Sequence, residues 1–374
     1  MVGSAGVSTP PQALFVSYTS LLGGAERILL DHATALPGLV ALACPEGPLA
    51  ERARTAGIEV VPLKRRRVEL RATVGDRLAM PLRIWSQGRE VHRIATALRP
   101  GCIVAWGMRP LLSCAAGLRG LRPRPPLVFQ HNDLMPGPLI GRAVRAAARR
   151  ADLTIALSQA IVDDLGPTHE LAIEIVRPGV DLTHFRPAER PSPTPPTALL
   201  LGAIVDWKRP DLALEIIALA TLELSDLRLT LAGAPVAEAG GELLAELKRR
   251  ASQPDLAGRV DFIGQVEDIP AALATCTCLL HCADREPYGM ALVEALACGR
   301  PIVAPAAAGP LEIVDTSCGV LYPPGDARAA VTALVDVVNR AFGLGRSART
   351  RAETEFDRDQ ARGRFRSLIE GVTG

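Results

Sequence analysis

Short apolar runs alternate with longer amphipathic stretches along nearly the whole chain, and this alternation restricts the fold more than any other feature. Runs rich in Val, Leu, Ile and Ala predict buried strands, and the stretches between them have the spacing of helices that bury one face. The predicted strands are 13–16, 40–44, 103–106, 127–130, 153–157, 198–201, 228–232, 260–263, 278–281 and 302–304. Because strands that alternate with helices form parallel sheets, the sequence predicts an α/β protein with doubly wound sheets.

A proline-rich stretch at 186–197 divides the chain. At 374 residues the chain exceeds one ordinary domain, and proline cannot donate the backbone hydrogen bonds of a helix or sheet. We therefore predict two Rossmann-like domains facing a central cleft at the carboxyl ends of their strands. The predicted segments are a flexible N-terminus 1–11, an N-terminal domain 12–185, the linker 186–197, a C-terminal domain 198–345 and a helical segment 346–374, whose return to the N-terminal domain is left open.

The composition limits the classes of partner. A net charge of +2 is too small for a protein that binds mainly through nucleic-acid phosphates, so no nucleic acid is expected and small molecules are the predicted partners. No apolar run is long enough to span a membrane and residues 1–12 lack a signal-peptide pattern, which predicts a cytoplasmic protein. The basic residues 64–67 and Arg71, near Trp85, leave weak association with the inner membrane face open, although a solvated loop is favoured.

Two groups of residues raise the question of a metal site. Cys276, Cys278, His281 and Cys282 are closely spaced, but they fall on one predicted buried strand whose alternate side chains point to opposite faces. Buried core cysteines in a reducing compartment are therefore the favoured interpretation. The pair of aspartates in 357–359 lies in a charged helical stretch, which favours a solvated helix face. No metal site is predicted.

Two loops combine a strand end with a helix start. Gly23 and Gly24 let the backbone approach a ligand, and the following helix offers unpaired N–H groups to an anion. Lys208 and Arg209 stand between a strand and a helix in a chain that has only three lysines among its 42 basic residues, so they are candidates to hold a diphosphate. A tight turn and a solvated basic pair are the corresponding structural alternatives.

A third loop precedes a helix predicted over 289–298. The backbone N–H groups of Gly289, Met290 and Ala291 lie at the helix start, where they can receive phosphate oxygens. Glu286 precedes this helix, and Glu294 lies inside it between apolar neighbours. A buried carboxylate needs a partner, which ligand hydroxyls would provide.

The alternative partner for these carboxylates is a cation of the same chain. A buried salt bridge to Arg285 or Arg300 would satisfy a carboxylate without any ligand, and this alternative remains open from the residues alone.

Taken in order along the chain, these segments strongly resemble the retaining GT-B glycosyltransferases of family 4, the glycosyl transferases group 1. The resemblance is carried by 23–26, 151–158, 177–181 with Phe185, 262–269, 286–294, 295–303, 312–314 and 319–326. It covers almost the whole chain. The chain departs from the family pattern at Ala203, where many members have Arg, and at Ala308, where many have Gly.

The resemblance implies a role for each candidate residue. Glu294 would bind the donor ribose and Glu286 the hydroxyls of the transferred sugar. Lys208 and the amides of 289–291 would bind the diphosphate, with Arg209 as a second cation in place of the one missing at Ala203. Gly23 and Gly24, in the acceptor-side N-terminal domain, would close over the phosphate, and His131 would lie near the reacting sugar.

The function implied is transfer of a hexose from a nucleoside diphosphate sugar, UDP- or GDP-linked, to an acceptor hydroxyl with retention of configuration. Neither a metal nor another cofactor is expected, and the departing phosphate oxygen would help to deprotonate the acceptor. The acceptor, whether a small molecule, a glycan or a lipid-linked molecule, is not fixed by the sequence. A sugar-nucleotide epimerase or hydrolase and a non-catalytic sugar-nucleotide-binding protein are the alternatives.

Overall fold

The computed structural model describes residues 9–64, 74–188 and 194–374, and for residues 74–80 and Ala237 it describes the backbone only. The chain divides into two units, Met1–Arg177 with Ala361–Gly374 and Pro178–Gln360. The division after Arg177 precedes the predicted linker 186–197, of which 189–193 lie outside the described residues. Of the predicted helical segment 346–374, residues 361–374 belong to the first unit and residues 346–360 to the second.

The first unit contains a parallel sheet of seven strands in the order β3-β2-β1-β4-β5-β6-β7. Its strands are β1 Ala13–Val16, β2 Val40–Cys44, β3 Glu59–Pro62, β4 Cys102–Trp106, β5 Leu127–His131, β6 Leu153–Ala156 and β7 Ile173–Ile175. Its helices are α1 Gly24–Ala35, α2 Pro48–Thr55, α3 Val74–Leu98, α4 Met108–Gly117, α5 Pro138–Ala148 and α6 Gln159–Leu165. The central strands are fully buried, as both faces of a parallel sheet should be.

The second unit contains a parallel sheet of six strands in the order β10-β9-β8-β11-β12-β13. Its strands are β8 Thr197–Leu201, β9 Arg228–Ala232, β10 Val260–Gly264, β11 Cys278–Leu280, β12 Ile302–Pro305 and β13 Gly319–Tyr322. Its helices are α7 Pro210–Ala220, α8 Ala237–Ala251, α9 Ile269–Ala274, α10 Met290–Ala297, α11 Pro310–Ile313 and α12 Ala327–Glu355. The last helix of the chain, α13 Arg358–Thr373, begins at the end of this unit.

The residues of α13 beyond Gln360 complete the first unit. Phe365 and Ile369 are fully buried, and the Phe365 ring stacks on the imidazole of His32 in α1 with a centroid separation of 4.2 Å. At the surface of the same contact, Arg362 Nε lies 3.3 Å from Asp31 Oδ1. Burial of two large apolar side chains contributes several kcal/mol, so this segment is an integral part of the first unit.

The prediction of doubly wound parallel sheets is confirmed in each unit. The predicted strands correspond to β1, β2, β4, β5, β6, β8, β9, β10, β11 and β12, with ends that differ by one residue at most. The sequence missed β3, β7 and β13, and all three are edge strands. An edge strand has one neighbour and is partly exposed, so its apolar pattern is weak.

The structure bears on one smaller prediction, and another lies largely outside the described residues. Asp357 lies between α12 and α13 and pairs with Val180 in an isolated bridge, so the predicted position on a helix face is wrong for this residue. Of the basic stretch near Trp85, residues 65–67 and 71 lie outside the described residues. None of the helices within the described ranges is both long and apolar enough to cross a membrane.

Candidate functional site

The candidate donor site lies in the second unit, where the loops after β8 and β11 meet. These strands are neighbours and run parallel, so their carboxyl ends share one edge of the sheet. The loop after β8 carries Lys208 and Arg209, and the loop after β11 carries Glu286 and leads into α10. In open α/β sheets this edge is where ligands bind.

Lys208 and Glu286 form a partly buried ion pair between the two loops. Lys208 Nζ donates a hydrogen bond to Glu286 Oε2 at 3.0 Å, and the two side chains are only 20% and 11% exposed. The residues are 78 positions apart in the chain. Removing either partner would leave a poorly solvated charge, which is far more costly than losing a surface ion pair.

A third titratable group, His281, contacts the same carboxylate. Its Nε2 lies 3.6 Å from Glu286 Oε2, is buried, and has no hydrogen-bond partner among the described residues. The pKa of His281 is lowered to about 4, chiefly by burial; the Glu286 carboxylate opposes this shift, and the Lys208 ammonium adds a smaller lowering effect. His281 is therefore a neutral imidazole at neutral pH.

The sequence had assigned His281 only to a cluster with three cysteines. All eight cysteines are buried and unpaired, and burial raises the pKa of Cys276 and Cys282 to about 12. Within the described residues, no group of His, Cys, Asp and Glu side chains is arranged to hold a metal ion. The signal missed in the sequence was the position of His281 directly after a buried strand, at the edge where ligands bind.

The loop after β8 brings its backbone close to the Lys208 side chain. Gly202 has φ +142°, and a Cβ on it would lie 3.3 Å from the outer carbons and Nζ of Lys208. A Cβ on Gly233 would overlap the carbonyl oxygen of Gly202 at 1.8 Å. Gly202, Lys208 and His281, with Ala203 and the end of β8, line a small recess. Ala203, at the departure from the family pattern, thus lies beside Lys208.

Arg209 occupies an unusual conformation at the start of α7. It is left-handed, with φ +51° and ψ +49°, a region that favours glycine. Its guanidinium donates to Asp211 at 3.0 Å and lies 3.9 Å from Asp284 in the loop after β11. Arg209 is therefore engaged with carboxylates of this unit, and its predicted contact with a diphosphate remains a prediction.

The start of α10 has the geometry expected of an anion site. Gly289 is the N-cap residue with φ +113°, and Met290 and Ala291 form the first turn, where backbone N–H groups lack acceptors within the helix. The N-terminal end of a helix carries a partial positive charge. At the other end, α10 stops at Ala297, and Gly299 has φ +66°, as expected for a glycine that ends a helix.

Contacts with the segment before α11 fix the loop that carries Glu286. The N–H of Gly309 donates to the carbonyl of Glu286 at 2.9 Å, and a Cβ on Gly309 would lie 2.1 Å from the carbonyl oxygen of Tyr288. The Tyr288 hydroxyl donates to the carbonyl of Pro178 at 2.7 Å. Ala308, at the second departure from the family pattern, has φ +49°, where glycine is the residue without strain.

Glu294 is half-buried in α10, with its neighbours Val293 and Ala295 fully buried. Arg300, one of the alternative salt-bridge partners, is itself buried and donates to the carbonyl of Ala274 at 3.2 Å. Glu286 has a cation partner in Lys208. The role of Glu294 toward a ribose remains a prediction.

The remaining candidates belong to the first unit. Gly23 is the N-cap residue of α1, and its N–H donates to Glu26 Oε2 at 3.0 Å. Burial raises the pKa of Glu26, and the nearby Asp133 raises it further. Gly23 and Gly24 are exposed, so the backbone of this turn is accessible.

His131 is the last residue of β5 and is fully buried. Its ring stacks on Phe129 with a centroid separation of 4.9 Å, and neither ring nitrogen has a hydrogen-bond partner in the described parts of the chain. Burial lowers its pKa to about 4, so the ring is neutral at neutral pH. Two unsatisfied nitrogens in a buried ring are unusual, and they are compatible with the predicted ligand role, which remains untested.

Two family models together match nearly the whole chain. The model described as Glycosyltransferase Family 4 matches residues 22–184, and the model described as Glycosyl transferases group 1 matches residues 183–353. The two matches together leave only the ends of the chain outside.

Among curated proteins, D-inositol 3-phosphate glycosyltransferase 2 of Catenulispora acidiphila is 31% identical over 193 residues, which are 47% of this chain and 45% of that protein. D-inositol 3-phosphate glycosyltransferase of Mycobacterium marinum is 29% identical over 201 residues, 49% of this chain and 41% of that protein. The matched region thus spans about half the length of these relatives or less.

Among solved structures, Anabaena Alr3699/HepE in complex with UDP has a TM-score of 0.81 at 22% identity, and the match covers 96% of this chain and 100% of that chain. The complex of the same protein with UDP-glucose has a TM-score of 0.80. The glycosyltransferase WaaG, involved in lipopolysaccharide biosynthesis, has a TM-score of 0.70 at 16% identity, with 96% of this chain and 100% of that chain covered. At these identities the similarity concerns the fold.

Proposed function

We propose that this chain, which belongs to the family 4 glycosyltransferases with the GT-B fold, transfers a hexose from a nucleoside diphosphate sugar to an acceptor hydroxyl. The observation that carries the proposal is the partly buried Lys208–Glu286 pair at the carboxyl edge of the second sheet, beside the N-terminal end of α10. A cation, a carboxylate and a set of helix N–H groups in one place fit the diphosphate and the hydroxyls of such a donor.

The diphosphate would bind between Lys208 and the first turn of α10. The Lys208 ammonium has three donors, so it can keep its contact with Glu286 and also bind a phosphate oxygen. The N–H groups of Gly289, Met290 and Ala291 would take further oxygens. Glu286 would accept hydroxyls of the hexose, and Glu294 those of the ribose.

The transfer would break the bond between the sugar C1 and the diphosphate oxygen and form a bond from C1 to the acceptor oxygen on the same face. Negative charge develops on the departing diphosphate, and preorganised donors at Lys208 and α10 stabilise it without reorganisation. The departing phosphate oxygen takes the proton of the acceptor hydroxyl. In this mechanism Lys208 and the helix N–H groups supply the positive charge that a metal ion would otherwise supply, so neither a metal nor another cofactor is required.

The relatives support the donor class more than the acceptor. The Anabaena protein has been crystallised with UDP and with UDP-glucose, which favours a UDP-linked hexose as the first donor to examine. The names of the curated relatives include an inositol phosphate, a polyol acceptor. We therefore propose a hydroxyl-bearing acceptor without assigning it further.

A turnover assay with product analysis tests the proposal. UDP-glucose and GDP-linked hexoses are incubated with and without a panel of polyol, glycan and lipid-linked acceptors, and the product anomer is assigned by proton NMR. We expect release of nucleoside diphosphate only with an acceptor, a product that keeps the donor configuration, and undiminished activity in EDTA. Glu286→Ala should lower the rate by a factor of about 100 or more, because it removes a site carboxylate and leaves Lys208 unpaired.

The matched control is Glu238→Ala, which removes an exposed carboxylate of α8 in the same unit and should leave the rate unchanged. Release of nucleotide without acceptor would identify a hydrolase instead, and binding without turnover would identify a sugar-nucleotide-binding protein. A product of inverted configuration would contradict the retaining mechanism, and loss of activity in EDTA with recovery in manganese would contradict metal independence.

A further inference from the structure

The imidazole of His281 is buried next to the candidate donor site, but the chemistry above gives it no role. The backbone of His281 is held in place on both sides, because its N–H donates to the carbonyl of Val303 in β12 at 2.8 Å and its carbonyl accepts from the Tyr322 hydroxyl of β13 at 2.9 Å. Of its side-chain atoms, Nε2 is buried and has no hydrogen-bond partner in the part of the chain that the structure describes. A fixed backbone and an unsatisfied buried nitrogen are typical of a group placed for a ligand or for another side chain.

The neighbours of Nε2 indicate which of the two ring nitrogens carries the proton. Glu286 Oε2 lies 3.6 Å away, and the same oxygen accepts the hydrogen bond from Lys208 Nζ. A carboxylate only accepts and an ammonium only donates, so a proton on Nε2 is attracted by Glu286, whereas a bare Nε2 would face the carboxylate with its own lone pair. The neutral tautomer with hydrogen on Nε2 therefore fits the site.

We propose that His281 is a positioning residue that fixes the Glu286 carboxylate by donating from Nε2 to Oε2. This inference rests on the proposed donor site. A shift of about half an ångström brings the present separation within hydrogen-bonding range. With Oε2 held by Lys208 on one side and His281 on the other, the carboxylate cannot rotate freely, and its second oxygen keeps one direction toward a sugar hydroxyl.

The imidazole also gives Glu286 Oε2 a second hydrogen-bond donor besides Lys208. When the ammonium turns part of its charge toward a diphosphate, its bond to Glu286 weakens, and a buried carboxylate that loses a donor is strongly destabilised. His281 keeps a donor on Oε2 in that state. Binding of the sugar should therefore depend on His281 more than binding of the nucleotide.

The test compares UDP-glucose with UDP, which lacks the sugar, in calorimetric titrations of five proteins. These are the wild type, His281→Leu, His281→Gln and Glu286→Gln, with the double variant of His281→Leu and Glu286→Gln to complete a cycle. His281→Leu should weaken UDP-glucose binding about tenfold, as expected for one lost hydrogen bond to a charged group. UDP binding should change less than about twofold on the same argument, and His281→Gln, which keeps a donor, should recover most of the loss.

The cycle distinguishes positioning from packing. If His281 acts through Glu286, His281→Leu should have little effect in the Glu286→Gln background, so the two effects are strongly non-additive. His32→Leu removes another fully buried imidazole, in the first unit, and should leave the affinity for UDP-glucose unchanged. Equal effects of His281→Leu in both backgrounds, or equal weakening of UDP and UDP-glucose, would overturn the inference.

A second measurement does not depend on ligand binding. The ¹⁵N signals of His281, assigned by their loss in His281→Leu, should show hydrogen on Nε2 in the wild type and a changed pattern in Glu286→Gln. The opposite tautomer would overturn the inference even where binding is weak. If the wild type binds no nucleotide sugar but the His281 signals behave as expected, the proposed function fails while the side-chain contact stands.

Discussion

At the scale of single residues, a lysine at position 208 suits the two partners proposed for it, Glu286 and a phosphate. The chain has 42 basic residues but only three lysines, and Lys208 pairs with a partly buried carboxylate. An ammonium is a compact charge with three donors that can divide between Glu286 and a phosphate, whereas a guanidinium binds best as a planar fork on one partner. Arg209 behaves as such a fork, with Nε and Nη2 both on Asp211.

Buried neutral histidines make stability depend on pH. Burial, with a smaller effect of the nearby Arg362, lowers the pKa of His32 to about 3, and the pKa values of His131 and His281 are lowered to about 4. In the unfolded chain these rings titrate near pH 6.5. The unfolded state therefore binds more protons as the pH falls below about 6.5, and stability should decline from there toward the folded-state pKa values.

His32→Leu should reduce this pH dependence. Between about pH 6 and pH 4, the free energy of unfolding of the variant should change less steeply with pH than that of the wild type. The difference in slope should be up to about 1.4 kcal/mol per pH unit, because one titrating group is removed. Urea unfolding followed by tryptophan fluorescence measures this, since the Trp106 ring lies 5.9 Å from His32. His169→Leu is the control, because the His169 side chain is 78% exposed. An unchanged slope in His32→Leu would show that His32 is not buried in its neutral form.

The sequence singled out most of the candidate site residues by type but could not show which of them meet. Lys208 was singled out by its rarity and Glu286 by its position before a helix. Their contact, 78 positions apart, depends on β8 and β11 being neighbours in the sheet. His281 was read as part of a cysteine cluster, because nothing in its local sequence shows that the Glu286 side chain folds back onto it.

At the scale of elements, the loop before α10 depends on a glycine that belongs to another element. Gly309 packs against the Tyr288 carbonyl so closely that no side chain fits, although its own φ of −53° would suit any residue. Gly309→Ala must therefore displace the 286–289 loop. We expect a loss of about 2 kcal/mol in the free energy of unfolding, typical of overpacking, together with weaker binding of UDP-glucose.

Gly343→Ala provides the matched control. Gly343 is exposed inside α12 and a Cβ there meets nothing within 4 Å, so the same substitution should stabilise the chain by about 0.5–1 kcal/mol. Thermal unfolding of both variants measures whether Gly309→Ala lowers the stability and Gly343→Ala raises it. A Gly309→Ala protein as stable as the wild type would show that the loop accommodates a methyl group and that its position is not fixed by this contact.

The strands also show which elements a sequence pattern can predict and which it misses. Interior strands such as β4 and β5 are buried at every position, and their continuous apolar runs were recognised. Strand β3 reads Glu-Val-Val-Pro with exposed ends, and β7 has only three residues, none fully buried. Such short, partly solvated edges do not differ from loops in their composition.

At the scale of the whole molecule, the first unit is assembled from both ends of the chain. Its last segment, Ala361–Gly374, follows the entire second unit. Within this segment, Arg362 Nη2 donates a hydrogen bond to Thr34 Oγ1, which lies 328 positions earlier in the chain. The sequence predicted a helical segment over 346–374, but not the surface that buries its end, since many apolar faces could accept Phe365 and Ile369. Such long-range pairing is outside what periodicity can show.

The central claim, that the second unit holds a nucleoside diphosphate sugar at Lys208, is tested most directly by thermal unfolding with UDP, GDP, ADP, TDP and their hexose conjugates. A ligand at about 100 times its Kd stabilises the native state by about 2.7 kcal/mol, which is a readily measured shift in Tm. Lys208→Ala is compared with Lys248→Ala, which removes an exposed lysine of α8. We predict a shift with one nucleotide family that persists in Lys248→Ala and is lost in Lys208→Ala; a shift that survives in Lys208→Ala, or no shift with any nucleotide, would contradict the account.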